Sequence, residues 1–245
     1  MVKNLLSIIK KYGLFEHHTI LKLELMKNQG SCNTNYSLLT SKDKYIVKKY
    51  DKNLHNNRSK AIEYKIQHKA YQKNISAKPF IIDTKNHILI SEFLNGHHKL
   101  KLDINDIHKL AYTLRKLHSI KIDGKAFNLE KYFFQNHKYT NKKLKLSLLK
   151  LKKYKKELVL CHNDLNRGNI IFSDDIKLID WEFSSINDRY FDLASIIVEF
   201  NLKKKDEIHF LRSYFKNKNP NMEKLAIFKI IYKNICYTWL KKRNL

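Results

Sequence analysis

A chain of 245 residues with 43% apolar side chains can bury a sizeable core, as one two-lobed enzyme or as two small domains. It contains no run of about 18 apolar residues, so no membrane-spanning helix is expected. The formal net charge of +26 comes from 49 basic and 23 acidic residues. The cations are overwhelmingly Lys, whereas readers of base edges lean on Arg, so no specific nucleic-acid partner is expected. The surplus reads as a Lys-biased surface, with attraction for ATP or for an anionic surface as the functional alternative.

Met1 to Lys11 has a short apolar patch closed by Lys10-Lys11 and reads as an amphipathic helix, not a signal peptide. Cys32, Cys161 and Cys236 are odd in number and far apart, with no C-x-x-C. Reduced thiols in a cytoplasmic protein are the simplest account. Thr19 to Met26 reads as a strand, Asn28 to Asn33 as a turn holding Gly30, and Thr34 to Thr40 as the returning strand. Such a hairpin can lie over phosphates with its backbone N–H groups exposed. In the next strand, Lys44 to Tyr50, alternation puts Ile46, Lys48 and Tyr50 on one face and Tyr45, Val47 and Lys49 on the other. Arg58 to Gln72 has helical periodicity, with Ile62, Ile66 and Ala70 as its core face and Glu63 at the border. A carboxylate there can reach a strand Lys on the adjoining sheet. Pro79 to Ile82 and His87 to Phe93 make a last hairpin, which runs out into a connector through Leu94 and Gly96.

Beyond the connector the chain turns helical. Asp103 to Ile120 carries Ile107, Leu110, Leu114 and Leu117 on one stripe, followed by His118, which reads as structural. Asn141 to Lys156 is amphipathic and Lys-rich, with Leu144, Leu148 and Leu151 inward. Its basic face is either solvated or in peripheral contact with anionic membrane. Phe191-Asp192-Leu193-Ala194 opens another apolar helix, and Lys204 to Phe215 and Met222 to Arg243 complete this half. The last helix carries Tyr232, Cys236, Tyr237 and Trp239.

The densest information lies between Leu160 and Glu182. An apolar run ends at His162-Asn163-Asp164, and Asn169 follows five positions after Asp164. Ile170 to Phe172 and Ile176 to Ile179 flank Ser173-Asp174-Asp175, a tight hairpin whose second strand delivers Asp180, Trp181 and Glu182. One loop and one hairpin thus bring two carboxylates and a carboxamide towards a single spot. Magnesium on a triphosphate needs hard oxygen ligands, and a separate carboxylate must face the attacking hydroxyl. The spacing H-x-D-L-x-x-x-N with a later strand-end Asp matches the protein-kinase catalytic loop and metal Asp. Asn163 stands where those enzymes usually have Arg, Trp-Glu follows Asp180 instead of Phe-Gly, and no A-P-E element appears downstream.

HNDLNRGN followed by IDWEFSSINDRYFDLA resembles the choline/ethanolamine kinase family, especially its bacterial choline-kinase and thiamine-kinase-like members, with the aminoglycoside phosphotransferases a more distant match. The dense match covers Leu160 to Leu193. GSCNTNY, from Gly30 to Tyr36, loosely resembles the family's phosphate loop, where Gly30, Ser31 and Asn33 would line the phosphates. The resemblance implies an α+β, two-lobed protein-kinase-like fold. Residues 1–93 would form a small antiparallel-sheet lobe with one helix that binds nucleotide. Residues 94–245 would form a larger, mostly helical lobe for catalysis and substrate. ATP would lie between the lobes, with Ile46 at the adenine, backbone groups around Glu92 to Leu94 holding it, and Lys48 (Lys49 is the competitor) on the phosphates, aligned by Glu63. Asp164 would act as catalytic base, Asn169 and Asp180 as Mg2+ ligands, and His162 and Asp192 as supports of the loop.

The implied activity is ATP-dependent phosphoryl transfer to an alcohol in the cytoplasm, with choline or a related amino alcohol first. Trp181, Trp239, Glu182 and Asp188 would then hold the cation. Thiamine, a sugar, an aminoglycoside or a lipooligosaccharide group are the alternative acceptors. A basic, non-catalytic binding protein on the same scaffold is the alternative of another class.

Overall fold

The computed structural model describes residues 2–27, 29, 33–51, 60–216 and 218–242. The chain divides into two compact units, residues 1–95 and 96–245.

The first unit is built on a five-stranded antiparallel sheet in the order β1-β2-β3-β5-β4. Its strands are β1 (Ile20–Leu25), β2 (Asn33–Thr40), β3 (Lys44–Tyr50), β4 (Pro79–Asp83) and β5 (Ile88–Glu92). Period-two alternation sends Tyr36 and Leu38 of β2, Tyr45 and Val47 of β3, and Ile88 and Ile90 of β5 into one core. Leu5 and Ile9 of helix α1 (Val2–Ile9) and Phe15 close that core. Lys48 and Glu63 face each other elsewhere, where helix α2 (Lys60–Gln72) packs by β4. The periodicity expected Ile62 in the core stripe of α2, yet Ile62 is 48% exposed. Ile66 and Ala70 are buried as expected, but the stripe turns towards Glu63 and Gln67, which are buried beside them. This brings Glu63 inward, where its charge is matched by Lys48.

The second unit is mostly helical: α3 (Ile104–His118), α4 (Leu129–Gln135), α5 (Lys142–Leu151), α6 (Tyr190–Glu199), α7 (Lys204–Phe215) and α8 (Met222–Lys242). Helix α3 packs on α7, and α6 and α5 both pack on α8. Helix α3 starts in a capping box: Asp103 accepts from the Asp106 amide and Asp106 from the Asp103 amide. Helix α5 is shorter than its pattern suggested. Asn141 caps it through the Leu144 amide, and it ends at Leu151. Helix α4, which the pattern did not announce, is capped by Asn128.

Two small antiparallel ribbons carry the motif. Strand β6 (Leu158–Cys161) pairs with β9 (Ser185–Asp188), and β7 (Ile170–Phe172) pairs with β8 (Ile176–Leu178). The segment opening the unit is fastened to the second ribbon. His97 and Phe172 exchange backbone hydrogen bonds of 3.0 and 2.9 Å. Only a residue without a side chain permits the approach at Gly96, where a Cβ would stand 2.5 Å from Ile171 Cγ2 and 2.6 Å from the Phe172 oxygen.

Candidate active site

Strand β6 ends and the backbone turns sharply: Asn163 has φ 65°, a left-handed conformation that Asn tolerates better than most residues. The turn is held from two sides. Asp192, completely buried in the first turn of α6, accepts from the His162 amide at 2.8 Å and the Asn163 amide at 3.0 Å. The Asn163 side chain donates to the Phe183 carbonyl at 3.0 Å and Ser185 Oγ at 2.7 Å, and accepts from Asn187 Nδ2 at 2.8 Å. His162 is buried, with its Nε2 3.0 Å from the Ile179 carbonyl. His118 Nε2 lies 3.2 Å from Asp192 Oδ2, and His118 Nδ1 lies 2.6 Å from the Tyr214 hydroxyl. The bracing by Asn163, Asn187 and His118 was not foreseen. Asn in place of Arg at 163 was the one signal for it, because Asn both accepts positive φ and bonds locally.

This scaffold presents Asp164. Asn169 donates to its carbonyl at 2.9 Å and to its Oδ2 at 2.7 Å, while Asn166 donates to its Oδ1 at 3.2 Å. The Ile179 amide donates to the Asn169 carbonyl, so the end of β8 and Asp180 are drawn alongside. Burial pushes the Asp164 carboxyl up to about 6, and the charges of Asp180 and Glu182 push the same way, against the hydrogen bonds from Asn166 and Asn169. Asp180 is itself left-handed, φ 66°. Such strain outside glycine persists only where surrounding contacts impose it. With the Asn169 amide nitrogen spent on Asp164, its amide oxygen is the atom left for a cation. Crowded carboxylates beside that hard oxygen suit a magnesium ion, which would relieve their mutual repulsion.

Two residues expected to hold the acceptor, Trp181 and Asp188, are buried and engaged within the fold. Trp181 is 1% exposed. The left-handed turn at Asp180 folds the following 3-10 turn inward, and the Trp181 ring packs against His162 with centroids 4.8 Å apart. Asp188 is buried at the far end of β9, opposite Leu158. Its carboxylate pairs with Lys224 at 2.7 Å and accepts from the Glu157 and Tyr190 amides. That charge is spent on structure. Glu182 is buried and close enough to raise the Asp164 pKa. Trp239 is half-buried on α8, three residues beyond Cys236 and hence on the same side of that helix. Cys236 is within electrostatic reach of Asp164, and Tyr132 and Tyr232 are in turn within reach of Cys236. Tyr232 was noted on the last helix from the sequence, and Tyr132 was not.

In the first unit, Lys48 Nζ donates to Glu63 Oε1 at 3.0 Å, with both side chains buried. Lys49, on the other face, donates to the Asn86 carbonyl. Ile46 is half-buried on the Lys48 face, and Asn33 opens β2 opposite Tyr50. Glu92 spends its side chain on the Lys78 amide at 3.0 Å and its own amide on the Lys78 carbonyl at 2.9 Å, and Leu94 is half-buried. Gly30 and Ser31 lie outside the described residues.

Residues 28–228 match the model of the APH phosphotransferase enzyme family. Protein LicA of Haemophilus influenzae is 27% identical over 170 residues, 61% of this chain and 64% of that protein. Choline kinase alpha of Mus musculus is 26% identical over 167 residues, 56% of this chain and 37% of that protein. The chain therefore spans less than two thirds of the length of either curated relative. The crystal structure of choline kinase LicA from Streptococcus pneumoniae superposes with a TM-score of 0.81 at 23% identity, over 98% of this chain and 92% of that one. The fold is thus α+β and kinase-like.

Proposed function

Because the chain belongs to the phosphotransferase enzyme family, we propose that it transfers the γ-phosphoryl group of ATP to the hydroxyl of a small amino alcohol, with choline the first candidate. One observation carries this reading: a loop hung from the buried Asp192 presents Asp164, with Asn169 bonded to it and Asp180 close enough to raise its pKa.

The acceptor oxygen attacks the γ-phosphorus as the bond to the ADP oxygen breaks, yielding a phosphate monoester and ADP. The hydroxyl proton passes to Asp164 late in the step. A carboxyl raised to about 6 is still ionised at neutral pH, and is a stronger proton acceptor than an ordinary Asp. Asn169 fixes the carboxylate so that little reorganisation is needed. Asn169 and Asp180 would hold a divalent cation, which supplies charge neutralisation for the phosphate oxygens when bound. Lys48, oriented by Glu63, is the phosphate cation of the first unit. Glu182 and the α8 side chains Tyr232, Cys236 and Trp239, with Tyr132, are the groups offered to the acceptor. Support for an amino alcohol comes from the choline-kinase names of the relatives and from rings that can face a quaternary ammonium.

The test is ADP release from ATP and Mg2+ with choline, ethanolamine, thiamine, a hexose or an aminoglycoside. Acceptor-dependent release is expected with choline or ethanolamine. Equal release with choline and its neutral carbon isostere would remove the cation from recognition, and no acceptor-dependent release with any of the five would end the proposal.

A further inference from the structure

From Lys131 to Lys156 the chain carries ten Lys and no Asp or Glu, and all ten are exposed. Helix α5 lies in the middle of this tract. Its buried side holds Leu144 and Ser147, with Leu148 and Leu151 half-buried beside them, and it packs on α8. At about 100° per residue, Leu146 and Leu149 fall on the opposite side, and they are 49% and 59% exposed. They are not spare core residues, because the inward stripe is already complete without them. Lys142 shares their stripe, and Lys145 and Lys150 flank it. Lys152, at the helix end, is paired with Glu130. At the other end a cavity of about 330 Å3 is lined by Lys138, Tyr139, Asn141, Lys233, Asn234 and Tyr237, where Lys233 adds one more cation.

We propose that the outer face of α5 docks on an anionic membrane surface, lying in the interface with Leu146 and Leu149 inserted and the surrounding Lys side chains on lipid phosphates. An apolar centre ringed by Lys is the pattern of an interfacial helix. The Lys stems cover apolar surface while their ammonium groups reach the headgroups. Nucleic acid is a poorer fit: the cations are Lys alone, and the centre offers aliphatic side chains where stacking on bases needs rings. No helix among the described residues is long and apolar enough to cross a membrane, so the contact is peripheral. The surface does not use the Asp164 loop, and the inference stands apart from phosphoryl transfer.

Flotation of the full chain with vesicles tests it. At 0.1 M salt the protein should float with phosphatidylglycerol:phosphatidylcholine vesicles (1:3) and not with phosphatidylcholine alone. Each Lys at such a surface is worth about fivefold in affinity, so K142Q/K145Q/K150Q should bind on the order of a hundredfold more weakly. L146Q/L149Q, which keeps every charge, should bind at least about tenfold more weakly. K203Q/K204Q/K205Q removes three exposed Lys at the start of α7 and should stay within about threefold of the unmodified chain. Equal losses in the two Lys triples would mean that diffuse net charge does the binding, and would overturn the proposal. So would an unaffected L146Q/L149Q, which would reassign the face to nucleic acid or an acidic protein. Failure of the unmodified chain to float would overturn it directly.

Discussion

The loop from His162 to Asn169 and the helix from Lys142 to Leu151 use polar side chains in opposite ways. In the loop the polar side chains are buried or half-buried and bonded to named partners, and its one carboxylate, Asp164, sits among like charges. On α5 the charges are exposed and of one sign. Buried polar groups that lose a partner cost about 1–3 kcal/mol each, whereas exposed charges cost little to move. Chemistry is therefore placed where geometry is expensive to change, and surface attraction where it is cheap to tune.

The sharpest way to break this contrast is Asp164→Ala. Turnover should fall at least about a thousandfold, roughly 4 kcal/mol of barrier, while nucleotide binding by titration stays near normal. Turnover within about tenfold of the unmodified chain would remove Asp164 from the reaction.

Removing the brace comes next. Asp192→Ala leaves the His162 and Asn163 amides and His118 without their shared acceptor, so unfolding in urea should show a loss of about 3 kcal/mol or more. Lys224→Met should cost a similar amount, because it strands the buried Asp188 carboxylate. Asp188→Asn should lower stability without changing the apparent affinity for the acceptor. A selective acceptor defect in that variant would return Asp188 to the site.

Asp180→Asn and Asn169→Ala should each raise the Mg2+ concentration needed for half-maximal turnover, by about tenfold, since each removes an oxygen ligand or its charge. Titrations that overlay the unmodified chain would move the cation elsewhere.

The smallest effect concerns the thiols. Burial pushes the Cys161 pKa well up and that of Cys236 up to about 11. Both should resist iodoacetamide at pH 8 until the chain unfolds. Their folded pKa values lie above the unfolded one, so their contribution is complete below about pH 8.5 and is lost as pH rises. Each thiol should subtract about 1.4 kcal/mol of stability per pH unit through that window. For Cys236 the window closes near 11. Urea midpoints that stay flat from pH 8.5 to 10 would contradict this.

The sequence alone determined the order of most strands and helices, α4 and β9 excepted, because period-two and helical patterns are local properties of the chain. It also brought Asp164, Asn169 and Asp180 together, since they sit on one short loop and hairpin whose geometry is set by a few intervening residues. Tertiary structure decided everything that depends on which face an element turns inward. The turn of the α2 stripe buries Glu63 on Lys48 and exposes Ile62, while Ile66 and Ala70 stay inward. The left-handed turn at Asp180 sends Trp181 into the core, away from a ligand. The pairing of β6 with β9 carries Asp188 to the far end, where Lys224 on a helix 36 positions later takes its charge. Partners that distant leave no local trace, because the side chain that neutralises a buried charge is chosen by packing and not by spacing.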